Sequence, residues 1–117
     1  MHLIIDAQVK CWLSHDEIRV ALGNLTALLK MKPLGEVHIV GSPIGPSAVQ
    51  FIIQQLKESH IAINYINDYI GIDIFSCKDF DSVKATDFCI EYFELVKIYQ
   101  KELIFRYFGL GETKHVT

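Results

Sequence analysis

Apolar residues recur along this chain with two periods, and the places where the period changes mark the elements. Residues 2 to 10 alternate loosely and are rich in β-branched side chains, which predicts a strand. From Ser14 the period lengthens, and Ile18, Ala21, Leu22, Leu25, Leu28 and Leu29 share one face of a helix predicted over 14–31. Ser14-His15-Asp16-Glu17 has the S-x-x-E form of a capping box. In that motif the hydroxyl and the carboxylate satisfy N–H groups that a first helical turn leaves free. Lys30, Lys32, Pro33 and Gly35 then end the helix.

Three apolar runs follow, at 36–40, 48–56 and 60–66. Gly41-Ser42-Pro43-Ile44-Gly45-Pro46 and the Lys57-Glu58-Ser59 corner separate them, so they predict successive strands. A tight Asn67-Asp68-Tyr69 turn leads into a further strand over 70–77. Asp81-Ser82 offers an N-cap for a second helix, over 82–96, with Ala85, Phe88, Cys89, Tyr92 and Phe93 on one face. A last strand over 98–108 precedes a polar tail. Hairpin strands with two amphipathic helices predict an α+β fold: a two-layer sandwich, mainly antiparallel, with both helices on one sheet face. The other face then needs a cover. Neither a repeat nor a linker interrupts the pattern, so residues 1–117 are expected to form a single domain.

Composition sharpens this outline. Half of the residues are apolar and the mean hydropathy is +0.25, rich for this size, so part of the apolar surface is expected at a subunit interface. A net charge of −3 and a pI near 5.9 provide no basic field for a nucleic acid. Cys11, Cys77 and Cys89 form no CxxC pair, against a disulfide framework or zinc site, and the five histidines lack metal-ligand spacing. The start of the chain lacks the pattern of a signal peptide, and no apolar run approaches the ~20 residues of a membrane span. A cytoplasmic protein without metal or membrane contact is the expectation.

Chemistry enters at the second hairpin. Across a turn centred on Asn67-Asp68, paired positions sum to a near-constant number, which sets Ser59 opposite a residue between 75 and 78. Cys77 lies in that window, with Cβ atoms roughly 5 Å apart. Taken alone, Ser59 is a turn residue, Cys77 a small buried hydrophobe, His60 a structural strand residue and Asn64 a partner for the backbone.

Glu58-Ser59-His60-Ile61-Ala62-Ile63, followed by Asp73-Ile74-Phe75-Ser76-Cys77, resembles the core motif of the prokaryotic S-adenosylmethionine decarboxylases, with the Ser-to-Cys spacing kept. The likeness extends more weakly from His2 to about Phe108. It implies a chain that cleaves itself at Glu58-Ser59, leaving a pyruvoyl group derived from Ser59. That group decarboxylates an amino-acid substrate through a Schiff base, in polyamine and spermidine biosynthesis. Cys77 is then the acid that returns a proton to the carbanion. Several positions depart from the family. Asn64 replaces a histidine that assists processing, and an amide has no proton to exchange near neutral pH. Phe51 replaces an assisting serine, Lys78 the glycine after the cysteine. The turn that shapes the substrate pocket is here Tyr65-Ile66-Asn67-Asp68, which makes Tyr65, Ile66 and Asp68 the candidate substrate contacts and removes a tryptophan suited to stacking on adenine.

Two functions remain open on these residues. One is an active decarboxylase of S-adenosylmethionine or of a smaller basic amino acid, ornithine or arginine. The other is a processing-deficient homologue serving as a binding or regulatory subunit. Asn64 lies five residues beyond Ser59, about 16 Å along a strand and on the opposite face. The expected assembly is therefore a homodimer, or a pair with a related subunit, in which Ser59 and Cys77 of one chain meet position 64 of the other. Gly109-Leu110-Gly111-Glu112-Thr113-Lys114 lacks the spacing of a phosphate loop and reads as tail.

Overall fold

The computed structural model describes residues 1–42, 48–107 and 112–116. In chain order the elements are β1 (His2–Val9), α1 (His15–Leu28), β2 (His38–Ser42), β3 (Val49–Leu56), β4 (Ser59–Ile66), β5 (Tyr69–Phe75), α2 (Ser82–Tyr92), β6 (Leu95–Tyr107) and β7 (Glu112–Val116). The strands form one sheet in the order β2-β3-β4-β5-β1-β6-β7, antiparallel at every pairing. The expected α+β sandwich is therefore observed.

Period-two alternation fixes which side of each strand is buried. Leu3, Ile5, Ala7 and Val9 from β1, Ile52 and Leu56 from β3, Ile61, Ile63 and Tyr65 from β4, and Ile70, Ile72 and Ile74 from β5 share one face. On that face lie Ile18, Ala21, Leu22 and Leu25 of α1 and Ala85 and Cys89 of α2, joined by Leu29 and Phe93 just beyond the helices. Among the described residues, no helix packs on the opposite, open face. Val40, Phe51 and Ile66 are exposed there, beside half-buried Ile4, Asn64, Tyr69 and Asp73.

Helix ends explain where the sequence reading stops short. Ser14 caps α1 as anticipated: its hydroxyl accepts from Glu17 N–H, and the Glu17 carboxylate accepts from Ser14 N–H. Hydrogen bonds from the Ser14 backbone N–H, and then from its side chain, hold the Glu17 carboxyl below its usual range. At the other end, Lys30 takes φ +57. Its N–H bonds Ala27 O while that of Met31 bonds Thr26 O, the Schellman arrangement usually served by glycine. Helix α2 stops at Tyr92 rather than 96, because Glu94 turns left-handed (φ +53) and β6 begins at once. No glycine marks that exit. The segment read as tail contains β7, which pairs with β6 through the backbone; its polar sequence has no apolar alternation to announce a strand. Residues 108–111, and with them Gly109 to Gly111, lie outside the described residues.

Candidate active site

Strands β3 and β4 are joined by two residues, Lys57 and Glu58, between the paired Leu56 and Ser59. Glu58 adopts φ +64, the left-handed value that a type II turn requires at its second central position and that normally selects glycine. The segment after α1 braces the turn from outside. Lys57 N–H bonds Lys32 O, Leu34 N–H bonds Gln55 O, and Pro33 forms a bridge with Leu56. The carbonyl of Glu58 is thus presented at a corner held on its upstream side.

The β4–β5 turn brings the second half of the site. Ile66 pairs with Tyr69 and His60 with Phe75, so Ser59 comes opposite Ser76, with Cys77 next along the chain. Ser76 is locked against the start of β1: its N–H bonds Met1 O and its carbonyl accepts from the Met1 amino group. Cys77 then makes two contacts with the corner. Its backbone N–H donates to Ser59 Oγ at 3.4 Å, and its thiol donates to the Glu58 carbonyl oxygen at 2.9 Å. Ser59 itself is buried.

Chemically, these contacts favour attack of the Ser59 hydroxyl on the carbonyl before it. A donor on the carbonyl oxygen stabilises negative charge as it develops there, and a donor on Oγ stabilises the alkoxide. Among the described residues, no carboxylate or imidazole hydrogen-bonds Ser59 Oγ. A base to take its proton is the missing part.

A cavity of about 420 Å³ opens onto Glu58, Ser59 and Cys77, and its walls include Lys30, Lys32, Lys57 and Lys78. Sequence reading missed these lysines. Two had been assigned to a helix end, one to a corner and one to a family departure; their common signal was that each flanks a corner of the chain, and the corners converge here.

The other candidate positions lie apart from this corner within one chain. Asn64 stands on the open face, cross-strand from Phe51 and Gly71. Ile66 is exposed at the far end of β4, about 23 Å from Ser59 at strand rise, and Asp68 beyond it accepts from the Gln8 side chain. Tyr65 belongs to the core. Its ring stacks on Trp12 at 5.0 Å, its hydroxyl accepts from Leu13 N–H, and burial pushes the phenol up to about 12. It offers no surface to a ligand.

On the open face, His2 Nε2 lies 2.5 Å from Asp73 Oδ1, with His60 Nε2 4.0 Å from the same oxygen and both rings against Phe75. No grouping of three or more His, Cys, Asp or Glu side chains among the described residues could hold a metal ion. No helix among them is long and apolar enough to cross a membrane.

The family model for S-adenosylmethionine decarboxylase matches residues 1–104. No curated protein matches the chain. With most of its length covered, the chain belongs to the S-adenosylmethionine decarboxylase family.

Proposed function

We propose, with membership of the S-adenosylmethionine decarboxylase family as premise, that this protein cleaves its own backbone slowly at Glu58-Ser59 and so becomes a pyruvoyl-dependent amino-acid decarboxylase. The observation that supports it is the pair of contacts from Cys77, to the Glu58 carbonyl oxygen and to Ser59 Oγ. Ser59 Oγ bonds to the Glu58 carbonyl carbon, the amide C–N bond breaks, and the hydroxyl proton ends on the Ser59 nitrogen. Loss of the Ser59 α-proton then expels the Glu58 carboxylate, and water releases ammonia from the new terminus to leave a pyruvoyl group. Slowness follows from the lack of a base on Ser59 Oγ.

The residues fit the group. Its precursor Ser59 opens β4 at the cavity wall, so a pyruvoyl group formed there would be held beside Glu58 and Cys77. A pyruvoyl group supplies an electrophilic carbonyl that takes up the electrons released as carbon dioxide leaves. The Cys77 thiol is exposed at the same wall, which supports a role for it in returning a proton to the substrate carbon. The turn at 65–68 departs from the family and Tyr65 is committed to the core, so Tyr65 does not carry specificity for S-adenosylmethionine, the polyamine-pathway substrate.

Intact mass of the purified chain under denaturing conditions, followed over days, tests the proposal. Slow appearance of two fragments meeting at Glu58-Ser59, the second carrying a pyruvoyl terminus, is expected. A chain that never cleaves supports the second reading, a non-catalytic binding or regulatory subunit, which Asn64 and Phe51 favour.

We also propose a homodimer that covers the open face, with position 64 of one chain near the Ser59 corner of the other. The exposed Val40, Phe51 and Ile66 support it. A monomer by light scattering at micromolar concentration removes it.

A further inference from the structure

The charge of the cavity at Ser59 is opposite to the charge of the chain. Overall the protein carries −3, yet four of its nine lysines, Lys30, Lys32, Lys57 and Lys78, line this one space. Among the described residues, Glu58 is the single carboxylate on its wall. No ion pair holds any of the four ammonium groups among the described residues, where the pairs formed are His2–Asp73, Arg19–Asp16 and His60–Asp73. Lys84 extends the basic wall into the adjoining hollow, shared through Lys30 and Lys78, though Asp79 and Asp81 offset part of the charge there.

The end of α1 does not account for this concentration. A helix C-terminus attracts cations to its free carbonyls, but the carbonyls of Leu25, Thr26 and Ala27 are already taken by Leu29, Met31 and Lys30 N–H groups. Only Lys30 and Lys32 adjoin it in sequence. Lys57 comes from the β3–β4 corner and Lys78 from the segment after β5, so three separate stretches deliver like charges to one cavity.

Like charges gathered without counter-charge repel each other, and an anion relieves that repulsion. S-adenosylmethionine, ornithine and arginine each carry a net positive charge at neutral pH and meet the reverse of what they need. We infer that the ligand of this cavity is an amino acid whose side chain ends in an anion, a carboxylate or a phosphate. The ammonium groups hold that anion while the α-amino group faces Ser59. This names the substrate class of the proposed decarboxylase and rests on that reading only for the reacting end.

The test separates the two. The full chain carrying Ser59→Ala cannot cleave, so binding is measured by calorimetry without regard to processing. The probes are L-aspartate, L-glutamate and O-phospho-L-serine against S-adenosylmethionine, L-ornithine and L-arginine, with inorganic phosphate as competitor. Binding of at least one acidic probe and of no basic one, weakened about tenfold by the double replacement Lys57→Gln/Lys78→Gln, is expected. These lysines are exposed, and an unchanged melting temperature verifies the fold of the double variant. Tighter binding of a basic probe, no binding of any acidic probe, or acidic binding indifferent to the double replacement overturns the inference. Phosphate binding with no amino acid bound also overturns it, since it leaves an anion site without a substrate. Failure of the wild-type chain to cleave, read separately by mass, sinks the decarboxylase and leaves the binding result standing.

Discussion

Phe51 and Asn64 are cross-strand partners on the open face of the sheet, while Ser59, five residues earlier in the strand of Asn64, belongs with Ile61, Ile63 and Tyr65 on the helix side. The two positions at which the family supplies assisting groups are therefore neighbours of each other and not of the serine they would assist. Cross-strand pairs lie ~5 Å apart at Cβ. Within one chain that patch lies on the opposite side of the sheet from Ser59, which is the ground for the proposed dimer.

A mixing experiment makes this concrete. Asn64→His is expected to speed cleavage at Glu58-Ser59, by about a hundredfold if a full acid/base role returns. The double variant with Phe51→Ser is expected to exceed the sum of the singles, because the two sites touch. A chain carrying Ser59→Ala and Asn64→His, co-refolded with tagged wild type, is expected to accelerate cleavage of the tagged chain. Acceleration confined to chains that carry both Ser59 and His in cis defeats the shared site.

Cys77→Ala removes the donor to the Glu58 carbonyl and is predicted to slow processing by about a hundredfold, in line with loss of one oxyanion donor. The thiol is exposed, so stability is expected to change by no more than about 0.5 kcal/mol. Cleavage followed by mass, with a urea titration alongside, checks both halves; an unchanged cleavage rate counts against the proposed role.

Alkaline pH gives a separate test of the core. Burial raises Tyr65 from 10.0 and Cys89 from 9.0, each to about 12. A group whose folded pKa is raised contributes stability that is complete below the unfolded pKa and lost as pH rises towards the folded one. Stability is thus expected to hold to about pH 9 and to fall between pH 9 and 12. Tyr65→Phe is predicted to flatten the part of that fall above pH 10, at a cost of about 1 kcal/mol at neutral pH for the lost bond to Leu13. Denaturant midpoints across the pH range measure it.

Ser14→Ala unties the first turn of α1 and is expected to cost about 1 kcal/mol. Glu17→Gln keeps a side-chain acceptor for Ser14 N–H and is predicted to cost less, while removing that carboxyl's contribution to acid destabilisation. Thermal melts at pH 3 and 7 distinguish the two.

The Ser59–Cys77 corner was legible in the sequence because hairpin register is arithmetic: a two-residue turn at Asn67-Asp68 leaves little choice about what meets Ser59. Both helices were legible through their apolar faces. What escaped were features set by the backbone or by convergence of distant segments. Left-handed Lys30, Glu58 and Glu94 occupy places that glycine usually signals, so the exit of α2 is read four residues late, and the Lys57-Glu58-Ser59 corner is read without its left-handed residue. Strand β7 pairs through backbone groups that any sequence possesses. The basic cavity draws on three separated stretches, and the position of Tyr65 in the family's substrate turn concealed its place beneath the sheet.

The order of strands in the sheet decides what a nick at Glu58-Ser59 leaves behind. Residues 1–58 contribute β1, β2 and β3, and residues 59–117 contribute the other four strands. In the sheet these alternate: β2 and β3, then β4 and β5, then β1 alone, then β6 and β7. The lone β1 is clasped on both sides by the downstream piece, through β5 and β6, while β3 grips β4. Pulling the pieces apart means tearing three backbone ladders at once, so a cleaved molecule migrates as one body in native buffer and as two only once unfolded. Such a molecule, unfolded and returned to native conditions, has to thread β1 between two strands of another chain. A nick at that bond would thus convert a unimolecular folding problem into a bimolecular one.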